Sequence, residues 1–565
     1  MRGGRFVVIV IAVAAIAVAA VIALSSGGGD NGGGGDGNAD SGAKAATNAV
    51  HVSFAYSPEK EALIAPLVKQ FNAGDHESNG RPVFVDAKVV ASGEAATKIA
   101  KGQLKPVAWS PASSLWGRLV NFQTDSDYVP RDNPSLVRTP LVIAMWEPLA
   151  RALGYPKQNV GFKQILALAL DKKGWSDYGQ PQFGQFKLGH TNPDFSTSGL
   201  DAVAAEYYAA TGKREGLTVA DVNKPKVRQE IKDIERSIVH YGDTTDYFAA
   251  QLKRFGPAYA SAVAMEEATL VAFNKGRTGT KLVALYPREG TFYSDDPYIV
   301  LNAPWVSPAE KAAAGVFGAF LRNQITPAKA AAYGFRPGDP TKRPMSPIDA
   351  QHGANPAEPK HVLGLPEPEV LDRVLRAWRE DRKPANIMLV LDTSGSMSEE
   401  GKLDSAKRGL KVFLSQLSPN DRVGLISFND QVFYNQAVAP FRQDRARLLT
   451  QINQLFPGGE TAVYDASEAG LKAIQGLHDP TRINAVVVLT DGEDNQSNQT
   501  ATELARKLQQ QARSEGLSVR VYTIAYGQEA NRAELQEIAA ASGGKGYEGD
   551  TSDIESVYRS ISSFF

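Results

Sequence analysis

Five oxygen-bearing side chains in the C-terminal part of the chain have the chemistry of ligands for a hard metal ion. Asp392 ends the apolar run 387–391, and Asp491 closes a second run that begins at 485. Continuous apolar runs of this kind are typical of buried parallel strands, whose carboxyl ends form the ligand-binding edge of an α/β sheet. The two carboxylates and three hydroxyls suit Mg²⁺, with Mn²⁺ or Ca²⁺ as alternatives. The full candidate set is Asp392, Ser394, Ser396, Thr461 and Asp491.

The order of these residues resembles the complete metal-ion-dependent adhesion site of von Willebrand factor type A (VWA) domains. That pattern is Asp-x-Ser-x-Ser, here 392–396, then a Thr, here Thr461, then an Asp after a hydrophobic strand, here Asp491. The resemblance covers about residues 385–565. It implies a bound divalent cation with an open position that a carboxylate from a protein partner completes. Helix capping by the Ser and Asp residues is the simpler alternative.

Alternating patterns in 385–565 predict one Rossmann-like sheet wrapped by helices. Glu493 and Asp494, close to the candidate site in sequence, are interpreted as solvated loop residues. Beyond the two runs above, we predict strands at 421–428, 431–438, 517–526 and near Tyr547. We predict helices at 403–417, 444–455, 462–477, 533–541 and 553–562.

Composition sets broad limits on the function. The chain has 565 residues, a length for roughly two to four domains, with ordinary apolar (43%) and charged (22%) contents. A formal net charge of −1 gives no electrostatic reason to expect nucleic acid as a partner. Since there is no cysteine, disulfides, thiolate metal sites, a cysteine nucleophile and a lipid-modified cysteine anchor are excluded.

The N-terminus predicts export. Arg2 and Arg5 precede the uncharged run 6–24, which approaches the length of a membrane-spanning helix and favours placing the remaining chain outside the cell. We therefore expect residues 1–24 to be a transmembrane anchor of a single-pass membrane protein; a cleaved signal, with secretion, is the alternative. Residues 25–49 are rich in Gly, Ser, Asn and Asp and predict a flexible tether.

Residues 50–345 alternate strand and helix patterns in a doubly wound α/β order. The order is similar to that of bacterial extracellular solute-binding proteins with the type 2 periplasmic-binding fold. This resemblance implies two lobes with a cleft for a small solute or anion. By position it places Ser110, Ser113, Ser196 and Ser198 along the cleft. The backbone N–H groups before the predicted helix 200–211 are candidate anion donors, and helix capping is the simpler alternative.

A proline-rich connector, 346–384, separates the two regions. Within it, 368–382 predicts a helix with one apolar face, formed by Val370, Leu371, Val374, Leu375 and Trp378. We expect this face to pack on one of the two domains; a groove for a partner is the alternative.

Together these patterns predict a membrane-tethered extracytoplasmic binding protein, not an enzyme. The seven histidines form no His-x-x-x-His pair, and no nucleophile elbow, Walker loop or dinucleotide fingerprint is present. One alternative is the substrate-binding component of an ABC-type importer with the C-terminal domain as a scaffold. A hydrolase is the other.

Overall fold

Two separate β-sheets build the N-terminal half of the chain in the computed structural model, which describes residues 46–513 and 518–565. The predicted anchor at 1–24, and the predicted tether at 25–49 apart from its last four residues, lie outside this range. Within 46–513 and 518–565, no helix combines the length and the apolar character needed to cross a bilayer.

The first lobe is formed around strands whose apolar residues pack under flanking helices. Its strands are β1 (Val50–Tyr56), β2 (Glu77–Ser78), β3 (Arg81–Val89), β4 (Ala108–Ser110) and β10 (Ile299–Val300), in the order β10-β4-β1-β3-β2. Its helices are α1 (Glu61–Asn72), α2 (Ser92–Ala100), α3 (Leu115–Thr124), α11 (Pro308–Gln324) and α12 (Pro327–Ala332). Strand β1 pairs in parallel with both β3 and β4, as an α/β arrangement requires.

The second lobe is formed by the chain between the two segments of the first lobe, together with β11, which follows the second segment. Its strands are β5 (Val137–Trp146), β6 (Leu188–His190), β7 (Ala262–Glu266), β8 (Leu282–Leu285), β9 (Tyr293–Ser294) and β11 (Arg336–Pro337). The main order is β11-β5-β7-β6, and β8 and β9 also pair with β5. Its helices are α4 (Glu147–Ala152), α5 (Phe162–Leu170), α6 (Thr197–Thr211), α7 (Val219–Val222), α8 (Pro225–Glu235), α9 (Thr245–Phe255) and α10 (Glu267–Asn274).

The proline-rich connector lies on the second lobe. The Ala284 N–H donates to the Gly353 carbonyl (2.8 Å), and the Gly364 N–H donates to the Arg214 carbonyl (2.7 Å). In the part of the connector before residue 368, the regular structure is a short 3₁₀ helix, Ala350–His352. These backbone bonds hold the segment in place although its prolines prevent regular helices or strands.

Helix α13 (Pro368–Asp381) packs on the N-terminal domain, one of the two domains on which we expected its apolar face to pack, and it contacts both lobes of that domain. Leu371 and Leu375 belong to the apolar core of the first lobe. Val374 and Trp378 belong to the core that the second lobe shares with the C-terminal domain. The apolar stripe is therefore wide enough to serve two surfaces, and the chain passes directly from this helix into the third sheet.

The C-terminal domain is one six-stranded sheet covered by helices. Its strands are β12 (Ala385–Asp392), β13 (Arg422–Phe428), β14 (Val432–Pro440), β15 (Ile483–Thr490), β16 (Val519–Tyr526) and β17 (Gly546–Gly549), in the order β14-β13-β12-β15-β16-β17. Its helices are α14 (Lys402–Gln416), α15 (Phe441–Gln454), α16 (Val463–Gln475), α17 (Ala501–Arg513), α18 (Arg532–Ala541) and α19 (Ile554–Ser562). Only the edge strand β14 pairs antiparallel, so the sheet has the predicted Rossmann-like character.

Aromatic residues join the C-terminal domain to the second lobe, and the described residues fall in one compact unit. The Phe564 ring lies 5.2 Å from the Tyr247 ring of the second lobe and 4.8 Å from the Tyr522 ring of its own domain. The Tyr247 hydroxyl donates to the Gly543 carbonyl (2.7 Å). Buried contacts of this kind hold the two domains in one arrangement.

Candidate metal centre

Two neighbouring parallel strands bring the candidate carboxylates to one edge of the third sheet. Leu391 of β12 lies beside Leu489 of β15, so Asp392 ends its strand beside the end of β15, where Asp491 follows. Both strands are buried along their whole length, which explains the apolar runs 387–391 and 485–489 within them. The predicted position of the two carboxylates at the carboxyl edge is therefore found in the structure.

Asp392 is fully buried and already accepts two hydrogen bonds. The Ser394 N–H donates to its Oδ1 (2.7 Å), and the Thr490 hydroxyl donates to its Oδ2 (2.5 Å). Burial raises the pKa of Asp392 to about 6, and the negative charge of Asp491 also raises it. A buried pair of like charges is stabilised by a cation placed between or beside them.

Hydroxyl groups link the two carboxylates. Ser394 Oγ lies 3.1 Å from Ser396 Oγ, and Ser396 Oγ donates to Asp491 Oδ1 (2.8 Å). Ser394, Ser396 and Asp491 are thus one connected set of oxygen atoms. Thr490 was not among the residues predicted from sequence. Its place as the last residue of β15, directly before the candidate ligand Asp491, is a sequence signal that could have identified it.

Thr461 is held beside this set by its backbone. Its N–H donates to Asn495 Oδ1 (2.9 Å), and its carbonyl accepts from the Asn495 N–H (2.9 Å). A methyl group placed on Gly492 would lie 3.4 Å from Thr461 Oγ1 and 4.0 Å from Ser396 Oγ. Glycine at 492 therefore leaves open the space that both hydroxyls face.

The loops that carry the hydroxyls are bonded to each other. The Gly395 N–H donates to the Gly459 carbonyl (2.9 Å), and the Gly458 N–H donates to the Thr393 carbonyl (2.8 Å). These bonds fix the separation between the loop after β12 and the loop before α16. All five predicted residues are brought together as a result.

Lys402, at the start of α14, is a site residue that sequence reasoning missed. Its Nζ donates to Asp491 Oδ2 (2.8 Å), and its side chain is largely buried. A single lysine after a loop carries no distinguishing sequence signal. Its charge balances one of the two carboxylates.

Asp494 is a structural residue, so the interpretation of it as a solvated loop residue was wrong. Its carboxylate accepts from the Tyr464 N–H (3.2 Å) and from the Ser497 hydroxyl (2.5 Å) at the first turn of α16. An acidic side chain at this end satisfies a free backbone N–H and favours the helix dipole.

The donor set fits a hard divalent cation. It consists of oxygen atoms alone, two of them carboxylates, which is the ligand type that Mg²⁺, Mn²⁺ and Ca²⁺ prefer. Elsewhere in the described ranges, as here, no three His, Cys, Asp or Glu side chains cluster in a way that could hold a metal. A cation held by the two carboxylates needs neutral oxygen ligands as well, and the three hydroxyls are placed to supply them.

The four candidate serines of the N-terminal region are not equivalent in the structure. Ser196 lines a small cavity of about 20 Å³ between the two lobes; Ser110, Ser113 and Ser198 are buried outside its lining. Ser110 Oγ has no hydrogen-bond partner in the part of the chain that the structure describes. Ser196 precedes α6, which begins at Thr197, but its side chain makes no capping hydrogen bond.

Acidic side chains dominate this interlobe cavity. Its lining includes Glu59, Asp243, Asp246 and Glu266. Lysine partners exist for two of them, because Lys60 pairs with Glu59 (2.9 Å) and Lys545 pairs with Asp243. Burial raises the pKa of Glu266 to about 7, with Glu59 as a further cause. The cavity wall therefore favours a cation, whereas we expected a small solute or an anion.

Residues 386–559 match the family model of the von Willebrand factor type A domain. This part of the chain is a VWA domain. The chain is also similar to an uncharacterized Synechocystis protein, with 28% identity over 187 residues that cover 32% of this chain and 40% of that protein. An uncharacterized Mycobacterium tuberculosis protein is 23% identical over 464 residues, which cover 78% of this chain and 64% of that protein. The matches thus span less than two thirds of either relative.

Among solved structures, a periplasmic thiamin binding protein is similar over 60% of this chain and 98% of its own, with 11% identity and a TM-score of 0.42.

Proposed function

We propose that this protein is a membrane-tethered extracytoplasmic binding protein with two binding modules. The VWA domain binds a protein partner through a divalent cation, and the two-lobed domain binds a small solute. The observation that supports this most strongly is the connected set of carboxylate and hydroxyl oxygens at the ends of β12 and β15. In this proposal the role of these oxygens is binding and not catalysis.

In this proposal Asp392, Ser394, Ser396, Thr461 and Asp491 hold the cation. The cation supplies an electron-poor position to which a carboxylate from the partner binds. The three hydroxyls are neutral, so the two carboxylates supply the negative charge of the site, and Lys402 offsets part of it. With a divalent ion bound, the site has no excess negative charge to repel an acidic partner.

The second module takes its solute between the lobes when they separate, because the cavity of about 20 Å³ that they enclose has room for about one water molecule. Asp246 and Glu266 line the cavity there, and neither has a lysine, arginine or histidine partner within 4 Å among the residues that the structure describes. A positively charged group on the solute would pair with them. The solute of this proposal therefore carries a cationic group.

The test of the metal site is thermal unfolding of the full chain, purified in a mild non-ionic detergent, with Mg²⁺, Mn²⁺, Ca²⁺ or EDTA. A ligand that binds only the folded state stabilises it by about 2.7 kcal/mol at a hundred times its dissociation constant. We expect a cation-dependent rise in Tm for the parent and none for Asp392→Ala. Asp404→Ala is the matched control, because the Asp404 side chain is 79% exposed and lies outside the site.

An equal rise in Asp392→Ala would refute the site assignment. If no cation raises the Tm of the parent, the cation-dependent binding mechanism is refuted as well. Capture of a surface protein by the parent in Mg²⁺, lost in EDTA and in Asp392→Ala, is the expected result at the next step.

A further inference from the structure

A larger cavity lies between the second lobe and the VWA domain, at the sheet edge opposite the metal centre. Its volume is about 450 Å³, which is within the range of small-molecule sites. Lys383 precedes β12, Arg482 precedes β15, and Arg520 is the second residue of β16. The cavity therefore meets the amino ends of the strands whose carboxyl ends carry the candidate ligands.

The lining of this cavity is positively charged. Five basic residues line it, and none of its described lining residues is Asp or Glu. Partners partly offset the charge of three of the five, because Arg236 pairs with Asp233 (2.6 Å), Arg482 pairs with Asp479 (3.4 Å) and Lys187 donates to the Ala258 carbonyl (2.9 Å). The five are Lys187, Arg236, Lys383, Arg482 and Arg520.

Arg520 has an incompletely satisfied guanidinium group. The residue is 6% exposed, and its Nε has no hydrogen-bond partner in 46–513 and 518–565. One terminal nitrogen reaches the Val239 carbonyl at 3.5 Å, and the group lies 5.4 Å from the centre of the Tyr259 ring. No carboxylate of these ranges lies within 4 Å of it. A buried charge without an opposite charge is costly, so a missing anionic partner is indicated.

Lys383 adds a second, half-buried cation beside it. Its Nζ donates to the Ile238 carbonyl (2.7 Å), a neutral partner. Burial, together with the charge of Arg520, lowers the pKa of Lys383 to about 8, against the opposing effect of the Asp479 and Glu235 charges. Two neighbouring cations that disfavour each other are both stabilised by one bound anion.

The lining also contains aromatic side chains beside Arg520. Phe255 and Tyr259 line the cavity and lie with their rings nearly parallel, 6.1 Å apart. The cavity is also larger than an inorganic phosphate ion requires. Its ligand should therefore have an apolar or aromatic body beside its charge.

We propose that this cavity binds a small phosphate monoester with an aromatic or apolar body. Arg520 and Lys383 hold the phosphate group, whose charge of about −1.5 to −2 matches two cations. The aromatic body lies against Phe255 and Tyr259. Because the cavity is formed by two domains, the bound anion also strengthens their junction.

The test is isothermal titration calorimetry of the full chain in mild detergent, with phenyl phosphate as the ligand. We expect saturable binding by the parent and at least about tenfold weaker binding by Arg520→Gln and by Lys383→Gln, since a hydrogen bond to a charged group is lost in each. The control, Arg447→Gln, removes one positive charge from an exposed position on α15 and should bind like the parent. Benzyl alcohol, which is neutral, should not bind.

Thermal unfolding separates loss of binding from loss of fold. Arg520→Gln removes an unpaired buried charge, so without ligand it should be at least as stable as the parent. No saturable binding by the parent, or parent-like affinity in Arg520→Gln, would overturn the proposal. Binding of inorganic phosphate as tightly as phenyl phosphate would overturn the assigned aromatic contact.

Discussion

Glu266, in the acidic cavity between the two lobes, should make the stability of the protein depend on pH. It ends β7, is 4% exposed, and accepts a hydrogen bond from the Thr245 hydroxyl (2.8 Å). The folded protein holds the proton of this carboxyl more tightly than the unfolded chain, because burial raises its pKa to about 7. Glu266→Gln keeps the shape and removes the titration.

The size of the effect follows from the two pKa values. The pKa rises from 4.5 to about 7, and each pKa unit corresponds to about 1.4 kcal/mol, so the linked change in unfolding free energy is about 3 kcal/mol. The stabilising contribution is fully present below pH 4.5, the ordinary pKa, and is lost as the pH rises through 7. Glu266→Gln should therefore gain stability relative to the parent as the pH rises.

The assay is urea unfolding of the full chain, followed by tryptophan fluorescence, at steps between about pH 4.5 and pH 8, the window that this shift defines. The free-energy difference between Glu266→Gln and the parent should grow by about 3 kcal/mol across this range. Glu537→Gln is the matched control, because that side chain is exposed on α18, away from the cavity. If the curves of parent and Glu266→Gln run parallel, Glu266 does not titrate as argued.

Three further predictions concern the metal centre and the domain junction. Lys402→Met leaves Asp491 without its cationic partner, so its Tm in EDTA should be lower than that of the parent. Mg²⁺ should then raise the Tm of Lys402→Met by more than it raises the Tm of the parent; a smaller rise would contradict this. Gly492→Ala brings a methyl group to 3.4 Å from Thr461 Oγ1, so Mg²⁺ should bind more weakly by titration while circular dichroism stays unchanged; parent-like affinity would contradict it. Phe564→Ala removes a fully buried ring and should lower the unfolding free energy in urea by about 3–5 kcal/mol; a change below about 1 kcal/mol would show that this ring does not hold the junction.

The sequence predicts the third sheet well because its central strands are buried on both faces. In β12 and β15 no polar side chain interrupts the apolar run before the strand end, and the carboxylates mark that end. Membership of residues 386–559 in the VWA family is confirmed by the family model. Membrane attachment remains a prediction because residues 1–45 lie outside the described chain.

Features built from distant parts of the chain could not be predicted in this way. Lys402 and Asp491 meet only after the sheet forms, and the interlobe carboxylates come from both lobes. The contacts of helix α13 could not be predicted for the same reason, because the width of its apolar face does not reveal how many surfaces pack against it. Asp494 was misjudged because a polar loop sequence does not reveal which backbone N–H groups lack partners.

The position of α13 has a consequence for how fast a solute could exchange. Its side chains Leu371 and Leu375 are buried in the first lobe, while Trp378 of the same helix is buried with the second. Separating the lobes with the helix left on the second lobe exposes both leucines, at about 1.5–3 kcal/mol each. The open form would then be populated at only about 10⁻² to 10⁻⁴, so residence of a trapped solute would be long and governed by the release of this one helix.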